Sequence, residues 1–385
     1  MNIGIDGHFV TRLPRRGIGI YSLNLIRHLV AEYPQHEFFI YIRHSDEERI
    51  LPLLKNVHIR QLSAFTDPFW EQVMLPLAIK RDNVDILHSL GNTAPLFVSN
   101  KIKKILTLHD VMFLQNSDLF PTPKTWYQRM GRLYRILISP RSAKNSDAII
   151  TVSNFSKLDI AKLIPGLLLP KIHAIHSAGD PIFADLNTKL NSSREINTIE
   201  KSKSPFILCL GADDPRKNTY RTILAYLKLI EDKQIAEHLI VVGYKNWQSS
   251  NSYRLVVKAN AIDRVHFLPY IQVDDLISLY INAQFFLYPS LYEGFGFPLL
   301  EAFSSGCPVI ASSTTSIPEV GGDAPIYIDP LNVEELTSAM KKLINNPELR
   351  ATLVARGLNR SSDFSWEATA MNTMNVYKAC LEFKN

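Results

Sequence analysis

Short apolar runs recur along the chain, and stretches with helical spacing separate most of them. In the first half the runs are Asn2–Asp6, Phe38–Ile42, Ile86–His88, Ile105–His109, Ala148–Ser153 and Ile172–Ile175. In the second half they are Phe206–Leu210, Leu239–Val242, Val265–Leu268, Gln284–Tyr288, Val309–Ala311 and Ile326–Ile328. A run that is apolar throughout suits a strand buried on both faces, as in a parallel sheet. Tyr21–Leu29 places Leu25, Ile26 and Leu29 on one side of a helix, and Tyr220–Ile230, Val273–Ile281 and Pro298–Ser304 also read as helices. Asn332-Val333-Glu334-Glu335 reads as a capping box for a helix containing Leu336, Met340 and Leu343. Ser365 is placed to cap a last helix from Trp366 to about Phe383. Strand and helix alternating in this way predict an α/β protein with doubly wound parallel sheets. The polar, weakly patterned stretch from Asn187 to Ser204 interrupts the alternation and reads as a linker. The expected division is a domain over 1–190, a second over 204–365 and a final helix over 366–385. No internal repeat or low-complexity tract is present.

Composition narrows the class. A chain of 385 residues suggests about two or three domains. Its 46% hydrophobic and 21% charged residues are those of an ordinary soluble globular protein with room for two cores. The net charge of +5 suits anionic substrates or membrane headgroups without demonstrating either. Cys209, Cys307 and Cys380 are scattered, which argues against a disulfide framework or a cysteine zinc site and fits a reducing cytoplasm. The chain starts directly on a strand pattern with no basic leader, so no signal peptide is expected. No apolar run approaches the ~18 residues of a membrane span.

The chemistry concentrates in Tyr288-Pro289-Ser290-Leu291-Tyr292-Glu293-Gly294-Phe295-Gly296-Phe297-Pro298-Leu299-Leu300-Glu301-Ala302. Two carboxylates stand apart with seven residues between them, across a glycine-aromatic-glycine turn and a helix start. Gly294 and Gly296 permit close approach of main chain to a ligand, and Pro298 suits the first helical position. The unpaired N–H groups of that first turn attract a phosphate. Glu301, expected in the same turn, is repelled by a diphosphate and so turns sideways toward ribose hydroxyls. Glu293, in the loop before the helix, is free to hold sugar hydroxyls. This string resembles the E-x7-E signature of retaining glycosyltransferases of family 4, whose GT-B architecture has two Rossmann-like domains. The resemblance covers nearly the whole chain. It is closest from Phe206 to Pro330, including Ser316-Ile317-Pro318-Glu319-Val320, and looser over Met1–Asp180.

The resemblance implies two doubly wound domains facing an interdomain cleft, with the last helix crossing back onto the first. It gives Glu293 the donor sugar and Glu301 the ribose, assisted by N–H groups around Gly294, Phe295 and Gly296. Gly211-Ala212-Asp213-Asp214-Pro215-Arg216-Lys217-Asn218 follows a strand and precedes a helix. A guanidinium and an ammonium at such a turn neutralise a diphosphate and stabilise it as a leaving group, the role the family implies for Arg216 and Lys217. Asp213-Asp214 suggests a metal, but no convergent ligand set completes it, and enzymes of this fold generally need none. In Arg15-Arg16-Gly17-Ile18-Gly19-Ile20-Tyr21 the family places a glycine-rich loop over the diphosphate, making Gly17 and Gly19 candidates. Their spacing is not the G-x-G-x-x-G of dehydrogenases. Thr107-Leu108-His109-Asp110 matches a His-Asp that the family sets near the reacting sugar, so His109 is expected to position or polarise it, or to relay a proton. His88 is a weaker candidate, for which a local hydrogen-bonding role fits better.

Trp126–Lys144 carries Arg129, Arg132 and Arg135 and no acidic residue. On a helix these arginines lie opposite Met130, Leu133, Tyr134 and Leu137. The basic segment 124–144 is either a solvated face packed on its other side, or a patch for anionic lipid or a lipid diphosphate acceptor. No nucleic-acid recognition motif accompanies it. The expected protein is thus a metal-independent retaining hexosyltransferase, with a nucleotide diphosphate sugar of the GDP-mannose or UDP-glucose type as donor. A glycan or lipid-linked acceptor is implied. The expected location is cytoplasmic, with possible peripheral contact at the inner membrane face. Pro269-Tyr270 stands where the family often has glycine, near the expected base pocket, and leaves the base open. The alternative is a non-catalytic sugar-nucleotide-binding subunit of a glycan assembly complex. An epimerase also stays open, and a phosphorylase lacks its pyridoxal lysine site.

Overall fold

The protein's structure, a computed structural model, describes residues 1–13, 15, 17–43, 50–115, 125–189, 204–231 and 235–382. Arg16, Lys124, the linker residues 190–203 and the last three residues lie outside it. The described chain forms two compact units. One runs up to Ala178 and includes the final helix from Ser365, and the other holds Gly179–Phe364.

The first unit is built on a wholly parallel sheet of β1 (Asn2–Asp6), β2 (Glu37–Arg43), β3 (Val57–Leu62), β4 (Ile86–Ser89), β5 (Lys103–Thr107), β6 (Ala148–Thr151) and β7 (Ile172–Ala174). Their order is β3-β2-β1-β4-β5-β6-β7. The apolar runs became strands because both faces are covered: Ile3, Ile5, Ile40, Ile86, Leu106 and Ile149 are all fully buried. β3 escaped the apolar pattern because it is an edge strand with polar outward positions. It pairs with β2 alone, His58 reaching Glu37 at 2.8 Å and Arg60 bonding Asp82. β5 ends at Thr107, so His109 stands just beyond the strand rather than on it.

Helix Gly17–Glu32 follows β1 and starts four residues before the apolar pattern suggested. Gly17 and Gly19 therefore form its first turn and are not part of a loop. Gly19 is small for a packing reason, since a Cβ there would meet the Phe9 carbonyl at 3.0 Å. Helix Trp366–Glu382 packs on this first helix, with the Trp366 ring 5.9 Å from that of Tyr21. Ser365 caps it by accepting from the Ala368 N–H at 3.1 Å.

The second unit carries β8 (Phe206–Leu210), β9 (His238–Val242), β10 (Val265–Leu268), β11 (Phe285–Tyr288), β12 (Val309–Ser312) and β13 (Ile326–Ile328). All pairs are parallel, in the order β10-β9-β8-β11-β12-β13. Counted from its own first strand, this is the 3-2-1-4-5-6 order of a doubly wound sheet. Its direction reverses between β8 and β11, and ligands of such sheets bind outside the carboxyl ends at that point. Helix Val333–Ile344 is capped by Asn332, which accepts from the Glu335 N–H at 3.1 Å. The Glu335 carboxylate instead accepts from the Asp329 N–H, so only half of the expected box forms.

Candidate active site

The two richest motifs of the sequence meet at the switch point of the second sheet. Arg216 and Lys217 follow β8, and Glu293 follows β11. A main-chain bond sews the loops together, the Leu291 N–H donating to the Arg216 carbonyl at 2.7 Å. Asn218 strengthens the seam. It takes the left-handed backbone conformation at φ 56°, which asparagine tolerates better than most residues. Its side-chain amide donates to the carbonyls of Pro289 (3.0 Å) and Pro330 (2.6 Å). Gly211 lets β8 pass close to its neighbour, for a Cβ there would lie 2.3 Å from Val241.

The side chains then converge. The Lys217 ammonium bonds the Glu293 carboxylate at 2.7 Å and lies 5.6 Å from the centre of the Tyr288 ring. Burial pushes the Glu293 carboxyl up, but Lys217 and Arg216 overcome it and hold the group below its usual value. Arg216 is gripped by Asp214 through its Nε, at 3.1 Å from both carboxylate oxygens. Asp214 thus serves as a guanidinium partner. Both cations expected at the diphosphate already carry a carboxylate, so an incoming anion must compete for them.

The turn between the two glutamates is held from beneath. Gly296 adopts φ 123° and precedes helix Phe297–Ser304, with Pro298 in its first turn. The Ser316 hydroxyl sits against the carbonyls of Glu293 (2.9 Å) and Phe295 (2.8 Å). The Glu293 N–H donates to the Thr315 hydroxyl at 3.3 Å. Thr315 itself has φ 61°, an outlier for a β-branched residue and a sign of stored backbone strain. Phe295 is buried between Phe297 and Phe364, and Gly294 is half-buried.

Glu301 departs from expectation. It is the fifth residue of its helix, a turn beyond the free N–H groups, and accepts from the Tyr280 hydroxyl at 3.3 Å. Burial raises its carboxyl to about 7, the Tyr280 hydrogen bond and Lys217 opposing and Asp180 adding. Sequence reasoning gave no role to Tyr288, Thr315, Asp214 or the Asn218 side chain. Asp214 and Asn218 had a readable signal, an acid and a turn-forming residue flanking Pro215-Arg216-Lys217.

His109, in the first unit, is buried. Its Nε2–H donates to the Leu90 carbonyl at 3.0 Å, which leaves Nδ1 as an acceptor. Burial lowers its pKa to about 4, partly offset by that bond. The ring is neutral near pH 7, which does not suit the expected proton relay. His88 is also buried, bonding the Tyr377 hydroxyl at 2.6 Å and the Thr107 hydroxyl at 2.7 Å, a structural bridge to the final helix. Gly17 and Gly19 contribute the start of their helix. In helix Trp126–Asn145 the apolar side is packed only in part, Tyr134 accepting from the Gln72 amide at 2.9 Å. Trp126 is 75% and Tyr127 73% exposed, and Met130, Leu133 and Leu137 are exposed as well. No helix among the described residues is long and apolar enough to cross a membrane.

Comparison with known proteins fits this geometry. The family described as "Glycosyl transferases group 1" matches residues 192–360, and "Glycosyltransferase Family 4" matches residues 15–181. The chain belongs to glycosyltransferase family 4 and has the GT-B fold. O-antigen chain mannosyltransferase B of Escherichia coli is 27% identical, over 95% of this chain and 97% of the relative. Among solved structures, sucrose-phosphate synthase from Thermosynechococcus elongatus superposes with a TM-score of 0.71 at 18% identity, covering 99% of each chain. Anabaena HepE in complex with UDP and glucose gives a TM-score of 0.67 at 14% identity, over 98% of this chain and 99% of that one.

Proposed function

We propose that the protein is a retaining hexosyltransferase that moves mannose or glucose from a nucleotide diphosphate sugar to an acceptor hydroxyl during polysaccharide or lipid-linked oligosaccharide assembly. The observation that carries this reading is the Lys217–Glu293 contact at the switch point of the second sheet. It sets a cation for phosphate beside a carboxylate for sugar hydroxyls. The mannosyltransferase relative favours GDP-mannose, and the neighbour with UDP and glucose keeps UDP-glucose in view.

In this reading the diphosphate draws Lys217 from Glu293, and Arg216, oriented by Asp214, shares the charge. Main-chain donors around Gly294–Gly296 and the start of helix Phe297–Ser304 add to both. These groups stabilise the diphosphate as the bond to the sugar breaks. Glu293, ionised and fixed by Thr315 and Ser316, orients the sugar, and Glu301 receives ribose hydroxyls. His109 accepts from a sugar hydroxyl through Nδ1, and the helix start at Gly17–Gly19 presents a further set of N–H groups. Because the diphosphate's charge is met by side chains and main chain, the reaction proceeds without metal.

The test is to incubate the protein with GDP-mannose and with UDP-glucose and follow release of nucleoside diphosphate, using NMR to read the anomer of any product. Retention with one donor is expected. A protein that binds a nucleotide sugar but never cleaves it supports the subunit alternative, and one that binds neither donor overturns both readings.

The exposed row Trp126, Met130, Leu133 and Leu137, flanked by Arg129, Arg132 and Arg141, supports peripheral binding to anionic membrane. Co-sedimentation with phosphatidylglycerol vesicles but not phosphatidylcholine vesicles is expected. Loss of that binding in Trp126→Ser/Met130→Ser is the matching control.

A further inference from the structure

The reading above leaves Glu293 with a difficulty. In the structure its carboxylate is held by the Lys217 ammonium at 2.7 Å. Its main chain is pinned by the Thr315 and Ser316 hydroxyls, so it cannot follow Lys217 when phosphate attracts the ammonium. Arg216 cannot replace Lys217 without leaving Asp214. Ser290 still bonds the Glu293 carboxylate, but a half-buried carboxylate that has lost its adjacent cation takes up a proton or turns away more readily, and either change spoils its grip on a sugar.

A second hydroxyl stands beside it, in addition to that of Ser290. Tyr288 ends β11 and is 2% exposed. Its hydroxyl lies within reach of the Glu293 carboxylate but makes no well-formed hydrogen bond among the described residues. Buried hydroxyls are nearly always satisfied, so an unsatisfied one asks for an explanation. The hydroxyl points under the turn, 3.9 Å from where a Cβ on Gly296 would stand. The neighbouring Glu293 charge adds to burial in raising the phenol well above its ordinary range, so the proton stays on oxygen. The same ring faces the Lys217 ammonium. Tyr288 therefore neighbours both members of the pair.

We propose that Tyr288 is a positioning residue, whose hydroxyl donates to the Glu293 carboxylate when Lys217 turns from Glu293 to the donor diphosphate. The inference rests on the transferase reading above. An O–H···O⁻ bond of this kind is charge-assisted and stronger than a neutral one. It keeps Glu293 ionised and aimed at the sugar while the cation is engaged elsewhere. No proton is transferred: the poorly formed contact between the phenol and Glu293 tightens into a full hydrogen bond when donor is bound.

The test is Tyr288→Phe, which keeps the ring and removes the oxygen. With whichever of GDP-mannose or UDP-glucose the wild type turns over, kcat should fall about tenfold, the equivalent of one good hydrogen bond. KM for the donor and Kd for the nucleoside diphosphate should stay within about twofold, since binding energy common to ground and transition states is untouched. The acid limb of the kcat–pH profile should move up by about one unit, because Glu293 then protonates more readily. Tm should hold or rise, an unsatisfied hydroxyl having been removed. In a Glu293→Gln background the same change should have no further effect on kcat.

Wild-type kcat and pH profile in Tyr288→Phe overturn the proposal and leave the transferase reading standing. So do losses that simply add in the double variant, and a Tm that falls in step with kcat. A wild-type protein that releases nucleoside diphosphate from neither donor overturns both.

Discussion

At the scale of single residues, the site sets two glutamates in opposite electrostatic states. Glu293 is held ionised by Lys217 and Arg216, whereas Glu301 is driven toward neutrality by burial. Glu293→Ala should lower turnover by about a hundredfold or more at saturating donor, as expected for a group acting on the transition state. Far-UV circular dichroism should remain that of the wild type. Glu301 gives a pH prediction. Its folded pKa of about 7 lies above the ordinary glutamate value of 4.5. The folded protein therefore holds a proton that the unfolded chain has lost, and stability falls as pH rises from about 4.5 through 7. Glu301→Gln should raise Tm by several degrees at pH 8 and have no such benefit at pH 4. Differential scanning calorimetry at the two values decides it. The same variant should weaken donor binding, so the position exchanges stability for function.

At the scale of elements, the site depends on loops joined across neighbouring strands. Asn218 is the residue to test. Asn218→Ala leaves the Pro289 and Pro330 carbonyls without their donor and forces alanine into the left-handed region. A loss of about 2–3 kcal/mol in urea unfolding is expected. KM for the donor should rise with it, because the same loop carries Lys217. The sequence was informative for these elements where burial is two-sided. β1 and β8, both inside their sheets, run over the residues their apolar pattern predicted, since nothing competes with apolarity inside a covered parallel sheet. β3 was invisible because an edge strand needs only one apolar face and carries His58 and Arg60 on the other. Helix starts were less legible. Gly17 and Gly19 read as a loop from the place the family resemblance gives them, yet they form the first turn of a helix, Gly19 lying close to the Phe9 carbonyl. The pair Glu293 and Lys217 was legible as two separate motifs. Their direct contact was not, because it depends on strand order, which no local pattern encodes.

At the scale of the whole molecule, the reading makes donor chemistry measurable without knowing the acceptor. A ligand that binds only the folded state raises Tm. GDP is expected to shift Tm more than UDP if the donor is GDP-mannose, and the reverse ranking assigns a uridine donor. Turnover should be unchanged by excess EDTA, because side chains and main-chain donors meet the diphosphate's charge. A loss of turnover that magnesium restores would refute metal independence and leave the sugar assignment untouched.

The bridge from His88 to Tyr377 has a consequence for how the chain comes into being. His88 lies in the middle of the first sheet, and its partner is 289 positions later. Trp366, which covers Tyr21, is more remote still from its partner. While the polypeptide emerges from the ribosome, the amino-terminal unit must wait, its pocket for Tyr377 uncovered, until the last seventeen-residue helix has been made. The second unit, whose described residues run from Gly179 to Phe364, can close first. Nascent chains stalled before residue 366 should thus carry a protease-resistant second half and a digestible beginning, reversing the usual amino-first order of domain folding.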